Sequence, residues 1–116
     1  MNRVFDISIA EASERSRRLQ QEQTRKQKLL EITSRLWTYF QRKQVQQVYL
    51  IGSILQEYRF APYSDIDIVI AGLAPEEYFL VWGELEELLG TEHLDLIEME
   101  KCCFRDLVQR YGMRIL

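Results

Sequence analysis

The chain has 116 residues and a mass of 13.9 kDa, below the ~150 residues usual for one domain, which leaves room for one compact unit with an appendage and excludes a separate substrate domain. Its 47% hydrophobic and 28% charged residues, with five Gly and two Pro, exclude a disordered or fibrous protein. The net charge of −3 conceals an asymmetry: residues 1–43 carry 10 Lys and Arg against 5 Asp and Glu, and residues 44–116 carry 5 against 13, a basic arm on an acidic body.

A chain of this size buries roughly 65% of the surface exposed when unfolded, enough to hold a core without disulfide or metal staples. Cys102 and Cys103 agree with that: they are vicinal, a bond between them would be strained, and no third thiol exists. A reducing, cytoplasmic compartment is expected. No apolar run approaches the ~20 residues of a spanning helix, and the polar start Met1-Asn2-Arg3 lacks a signal-peptide core, so no membrane association is expected.

In chain order, Ser8-Ile9-Ala10-Glu11 has capping-box spacing and predicts a helix starting near Ile9. From there to Lys43 there is no Gly or Pro, and good helix formers dominate, which predicts one long helix or two in tandem. Large apolar residues load only its second half (Leu29, Leu30, Ile32, Leu36, Trp37, Tyr39, Phe40), so that half is expected to pack and the first half to project into solvent or onto a partner. Val45–Gly52 reads as a strand, residues 54–58 as a short helix, and Asp65–Ala71 as a second strand. Pro75 begins and Gly90 ends a helix whose Phe79, Val81, Trp82, Leu85, Leu88 and Leu89 are expected on one sheet face. A third strand at Leu94–Met99, a helix at Cys103–Tyr111 and a short strand at Met113–Leu116 close the chain. This order is that of an α/β (α+β) fold in which helices cover a small mixed sheet behind a long N-terminal helix.

On the second strand, alternation sends Asp65 and Asp67 to one face and Ile66, Ile68 and Ile70 into the core. Two carboxylates so placed repel unless a cation lies between them, and together they suit Mg²⁺, which takes one or two carboxylates plus substrate phosphates. Gly52-Ser53, directly after the first strand, allows close backbone approach to an anion, with phosphate as the natural guest. Asp95 adds a third acid from another strand; three acids are able to hold two metals and assist deprotonation of an attacking hydroxyl.

The run Leu50-Ile51-Gly52-Ser53, followed after ten residues by Ser64-Asp65-Ile66-Asp67-Ile68-Val69-Ile70, resembles the signature of the nucleotidyltransferase fold shared by DNA polymerase beta relatives. In particular it is similar to the minimal nucleotidyltransferases often encoded beside HEPN-domain toxins. The likeness covers residues 45 to about 100 and implies an arm over 1–43 and a nucleotidyltransferase domain over 44–116. It also implies that Gly52, Ser53 and Ser64 contact a nucleoside triphosphate, that Asp65 and Asp67 bind two Mg²⁺ ions, and that Asp95 is the third acid. The spacing from Ser53 to Asp65 is one residue longer than the family's common one, and Leu55-Gln56-Glu57 stand where the family usually has Ala-Arg-Gly, so Arg59 is expected to take the phosphate-facing role. The implied reaction is transfer of AMP from ATP to a hydroxyl, a tyrosine of the paired HEPN toxin, with the chain as antitoxin.

A second reading keeps the fold without catalysis, the chain neutralising or assembling a partner by stoichiometric binding, and the altered Gly-Ser loop favours it. RNA-directed transfer needs a nucleic-acid surface that only the arm offers, through Arg15, Arg17, Arg18, Arg25, Lys26 and Lys28, and no aromatic residue is interleaved there for base stacking. The arm also permits a helix-mediated dimer, although no sustained heptad demands one. His93 is expected to be a solvated turn residue, Cys102 and Cys103 to pack, and Trp37, Tyr39 and Phe40 to be structural.

Overall fold

The structure, a computed structural model, describes residues 7–116; residues 1–6, including the polar start Met1-Asn2-Arg3, lie outside the described residues. Helix α1 (Ile7–Phe40) is a single helix of 34 residues, as an uninterrupted run of good helix formers dictates. Among the described residues it is helical from Ile7 onward, two residues ahead of the start expected near Ile9. It stops short of Lys43 because the last turn tightens: Arg42 and Lys43 donate to the carbonyls of Tyr39 and Phe40.

The remaining elements are β1 (Gln47–Ile51), β2 (Ile66–Ala71), α2 (Tyr78–Leu89), β3 (Leu94–Glu98), α3 (Arg105–Tyr111) and β4 (Met113–Arg114), with 3-10 turns at Ser53–Leu55, Pro75–Glu77 and Met99–Lys101. The short helix expected at residues 54–58 is only the first of these turns, because Gln56 is already extended (φ −105°, ψ 124°) and Tyr58 then adopts a left-handed φ of 60°. Gly90 caps α2 in the left-handed conformation as its position suggests. The four strands form one mixed sheet in the order β3-β2-β1-β4: β1 is antiparallel to β2 and β4, and β2 is parallel to β3 through the α2 crossover. Regular pairing of β4 ends at Arg114, though Val48 still exchanges bonds with Ile115 and Leu116.

One sheet face carries the main core. Val48, Leu50, Ile66, Ile68, Ile70, Leu94 and Leu96 meet Ile32, Leu36 and Phe40 of α1 and Val81 and Leu85 of α2. The α1 residues recur every four positions, the spacing of one helical stripe, so Trp37, one position from Leu36, turns outward and is exposed. Phe79 is likewise exposed, contrary to expectation, since it lies about 200° around α2 from Val81. Tyr78 packs against the core in its place and donates its hydroxyl to the Leu96 carbonyl. On the other face α3 covers a smaller cluster of Tyr49, Val69, Ala71, Met99 and Val108. Cys102 packs against that cluster, whereas Cys103 is exposed; both thiols are free. No helix is long and apolar enough to cross a membrane among the described residues.

The first half of α1 does not wholly project. Glu22 and Arg25 are the buried charged residues among those described, both at 6% exposure. The Glu22 carboxylate accepts from Arg25 Nε (2.9 and 3.1 Å) and Nη2, and from the Tyr58 backbone N–H at 2.8 Å, while Arg25 Nη1 donates to the Ile54 carbonyl at 2.8 Å. Arg25 is therefore removed from the basic surface expected of the arm. The arm beyond Glu22 is almost entirely exposed, and the molecule measures 70 × 29 × 19 Å.

The Arg25 guanidinium, and next the Tyr58 amide, hold the Glu22 carboxyl well below the ordinary carboxylate range, at about 2. Since the folded value lies below the unfolded one of about 4.3, its stabilisation is complete above that value and is lost as pH falls towards 2. Thermal unfolding of the wild type is expected to show a falling Tm over this acid interval, and Glu22→Gln should flatten that part of the curve; an unchanged slope would remove the assigned role of the carboxylate.

Candidate active site

The site is built on β2. Burial of Ile66, Ile68 and Ile70 in the main core commits Asp67 to the opposite face. The register then sets Asp67 between Ile51 of β1 and Asp95 of β3, one row across three strands. Residues level with one another across neighbouring strands share a face, so the two carboxylates are side by side. Asp65 lies just ahead of β2, one residue short of the strand expected there, and is exposed.

Gly52 follows β1 with φ 86° and ψ −160°, a conformation essentially reserved for glycine. A Cβ added there would meet Asp67 Oδ2 at 2.5 Å. The glycine thus supplies both the sharp exit from β1 and the space into which the Asp67 carboxylate reaches. Ser53, half-buried, opens the 3-10 turn, in which Leu55 donates to the Gly52 carbonyl.

Burial, then the charge of Asp95, then that of Asp65, raise the Asp67 carboxyl to about 6. All three acids are within electrostatic reach of one another through Asp67. Among the described residues no three acid, imidazole or thiolate groups are drawn together into a ready-made metal cage. The donor set still fits a hard divalent cation: it is all oxygen and negative, with Asp67 half-buried between the exposed Asp65 and Asp95 and a glycine cradle at its edge. Mg²⁺ keeps several waters and takes only one or two protein carboxylates beside substrate phosphates, so such an ion needs no closed cage.

The other expected nucleotide ligands are not drawn to this row. The Ser64 hydroxyl accepts from the Ala61 N–H at 2.9 Å and closes a turn with it. Arg59 is exposed, and among the described residues its guanidinium has neither hydrogen bond nor ion pair. His93 was not expected here: its Nδ1 lies 3.7 Å from Asp65 Oδ1, both side chains being exposed. Parallel pairing is the signal that locates it, because the residues leading into β2 and β3 run alongside each other and Ile66 N–H donates to the His93 carbonyl. A groove of about 310 Å³ extends from Gly52 between the loop residues Leu55 and Gln56 and the α3 residues Phe104, Leu107 and Tyr111. A larger cleft of about 560 Å³ between α1 and α2, lined by Arg35, Tyr39, Lys43 and Glu84, is on the opposite side of the sheet and holds no pair of acids.

Two outcomes follow from this geometry. Gly52→Ala should cost about 1–3 kcal/mol in chemical denaturation from backbone strain alone, with the clash against Asp67 added; wild-type stability would mean the turn relaxes freely. Because folding raises the Asp67 value, its penalty is absent below about pH 3.9, grows towards pH 6 and is complete above that. Asp67→Asn should therefore raise Tm at pH 7.5 by a few degrees, about 1 kcal/mol after allowance for solvent screening, and leave it unchanged at pH 3.5. An equal shift at both pH values would show that charge is not the cause.

Comparison with known proteins agrees with this architecture. A toxin-antitoxin crystal structure with AMP-PNP is similar at a TM-score of 0.57 and 20% identity, covering 72% of this chain and 72% of that one, a likeness of fold. The toxin-antitoxin MntA-HepT crystal structure aligns at a TM-score of 0.46 and 18% identity, over 82% of this chain and 72% of that one. No curated protein matches the chain. The family model described as Polymerase beta, Nucleotidyltransferase matches residues 34–112, from the packed half of α1 to the end of α3 and including Gly52 and all three aspartates. With more than half its length so matched, the chain belongs to the polymerase beta nucleotidyltransferase family.

Proposed function

We propose that the chain is a Mg²⁺-dependent nucleotidyltransferase that moves AMP from ATP to a tyrosine hydroxyl of a HEPN-type partner protein, acting as the antitoxin of the pair in the cytoplasm. The observation that carries this reading is the setting of Asp67, in register with Asp95, close to Asp65 and pressed against the Gly52 backbone. A carboxylate raised to about 6 by burial, and further by the charges of Asp95 and Asp65, gains from a cation beside it.

Asp65 and Asp67 are the assigned metal ligands, with Asp95 as the third acid. Bound Mg²⁺ would neutralise charge on the phosphate oxygens and align them for in-line displacement. Gly52 and Ser53 are assigned to the triphosphate, where a backbone without a Cβ admits close approach. The acceptor oxygen bonds to the α-phosphorus as the bond from that phosphorus to the β-phosphate bridging oxygen breaks, and pyrophosphate leaves. We assign the acceptor's proton to Asp95, whose carboxylate is exposed beside Asp67.

Non-catalytic binding of the partner is the second reading, favoured by the altered residues after Gly52-Ser53 and by the engagement of Ser64 with Ala61. Incubation with Mg²⁺ and ATP labelled in the α-phosphate, with and without the protein encoded alongside, separates the two. Label is expected on the partner, and Asp65→Asn or Asp67→Asn should reduce it on the order of 10³-fold, the loss of several kcal/mol of transition-state stabilisation. Tight partner binding without label would establish the second reading, and label retained in the double Asn variant would overturn the assigned site.

A further inference from the structure

The loop that carries Gly52 and Ser53 is held from outside by the arm. Its first turn offers the Ile54 carbonyl to Arg25 at 2.8 Å, and four residues later the Tyr58 N–H is taken by Glu22 at 2.8 Å. Tyr58 has a left-handed φ, uncommon for a bulky residue and sustained only where the surroundings over-determine it. Its ring lies under the Arg18 guanidinium, 5.4 Å from the centroid, so a third residue of the same helix reaches the loop one turn further along. The Ile54 side chain and that of Phe60, two residues beyond Tyr58, are buried in the main core. The ion pair is more than filler for the helix surface. Burial of two charges away from water is costly, and here the capacity not used within the pair is spent on two loop backbone groups that side-chain identity cannot otherwise reach.

We propose that Glu22 and Arg25 are positioning residues for the Gly52–Ser53 turn, holding the phosphate-facing loop in its binding conformation from the arm helix. The proposal rests on the nucleotide reading of that turn given above. It assigns to α1 a role in ATP affinity although none of its residues touches the carboxylates. Loss of the clamp frees the loop to sample conformations from which ATP must recover it, and the apparent affinity falls by the fraction of binding-competent molecules.

The test uses the full chain with two variants. Glu22→Met/Arg25→Leu removes both charges together, avoiding an unpaired buried ion. Glu22→Asp keeps the ion pair and withdraws the carboxylate by one methylene from the Tyr58 amide. Amide hydrogen exchange over residues 54–58 and equilibrium binding of ATP with Mg²⁺ are measured on each, together with KM and kcat of transfer. In both variants faster exchange of the Tyr58 amide, ATP binding weakened at least tenfold in the double variant, and a raised KM with kcat regained at saturating ATP are expected, in a protein whose far-UV dichroism is unchanged. Wild-type ATP affinity in variants whose loop exchanges faster would overturn the proposal while leaving the nucleotide reading intact. Unchanged exchange at Tyr58 would overturn the clamp itself. A wild-type chain that binds no ATP would overturn the underlying reading and the proposal with it.

Discussion

Packing of Ile66, Ile68 and Ile70 against the two helices α1 and α2 is the constraint on which the site depends. A strand has only two faces, so three buried isoleucines leave Asp67 no choice of side, and a slip of one residue would bury the carboxylate and expose the isoleucines. The same register brings Asp95 alongside, because the parallel partner strand is aligned by its own buried pair, Leu94 and Leu96. Hydrophobic burial on one face thus holds mutually repelling acids together on the other. The protein accepts local electrostatic tension in return for a concentrated negative row, the usual relation between a stable scaffold and a site that is not itself stabilising.

A second tension lies in the arm. An ion pair buried to the extent of Glu22 and Arg25 is weak evidence for stability in itself, since desolvation offsets much of the attraction. Its structural consequence is specificity of arrangement: a carboxylate has two oxygens and a guanidinium five N–H groups, and their remaining bonds run to fixed backbone atoms of one loop. The arm and the loop after β1 therefore have one preferred relation, where an apolar contact would tolerate several.

The alternation around Asp67 and the glycine after β1 were legible in the sequence because each is a local pattern whose physical meaning needs no partner. Pro75 and Gly90 marked α2 for the same reason. What escaped were relations between a side chain and a backbone group elsewhere. Glu22 and Arg25 look like members of a solvated helix face, and their partners, the Ile54 carbonyl and the Tyr58 amide, carry no mark of residue type. The approach of His93 to Asp65 depends on parallel pairing across a crossover, and the outward turn of Phe79 and Trp37 depends on which arc of each helix meets the sheet, which composition alone leaves open. Burial of Arg25 also shows how a count of basic residues overstates the charged surface of the arm.

The length of α1 has a consequence for how the molecule forms. A free helix must first fix several residues for a single hydrogen bond, so nucleation is its costly step and short polar helices are marginal in water. In this chain the stripe Ile32, Leu36 and Phe40 is ordered by the core, and Glu22 with Arg25 extends that ordered length. Residues nearer the tip then add by propagation onto an existing helix, each contributing one backbone bond, with Arg17–Glu14 as a local side-chain pair. The arm is thus a graded element, held most firmly where Ile32, Leu36 and Phe40 meet the core and least in the exposed stretch ahead of Glu22.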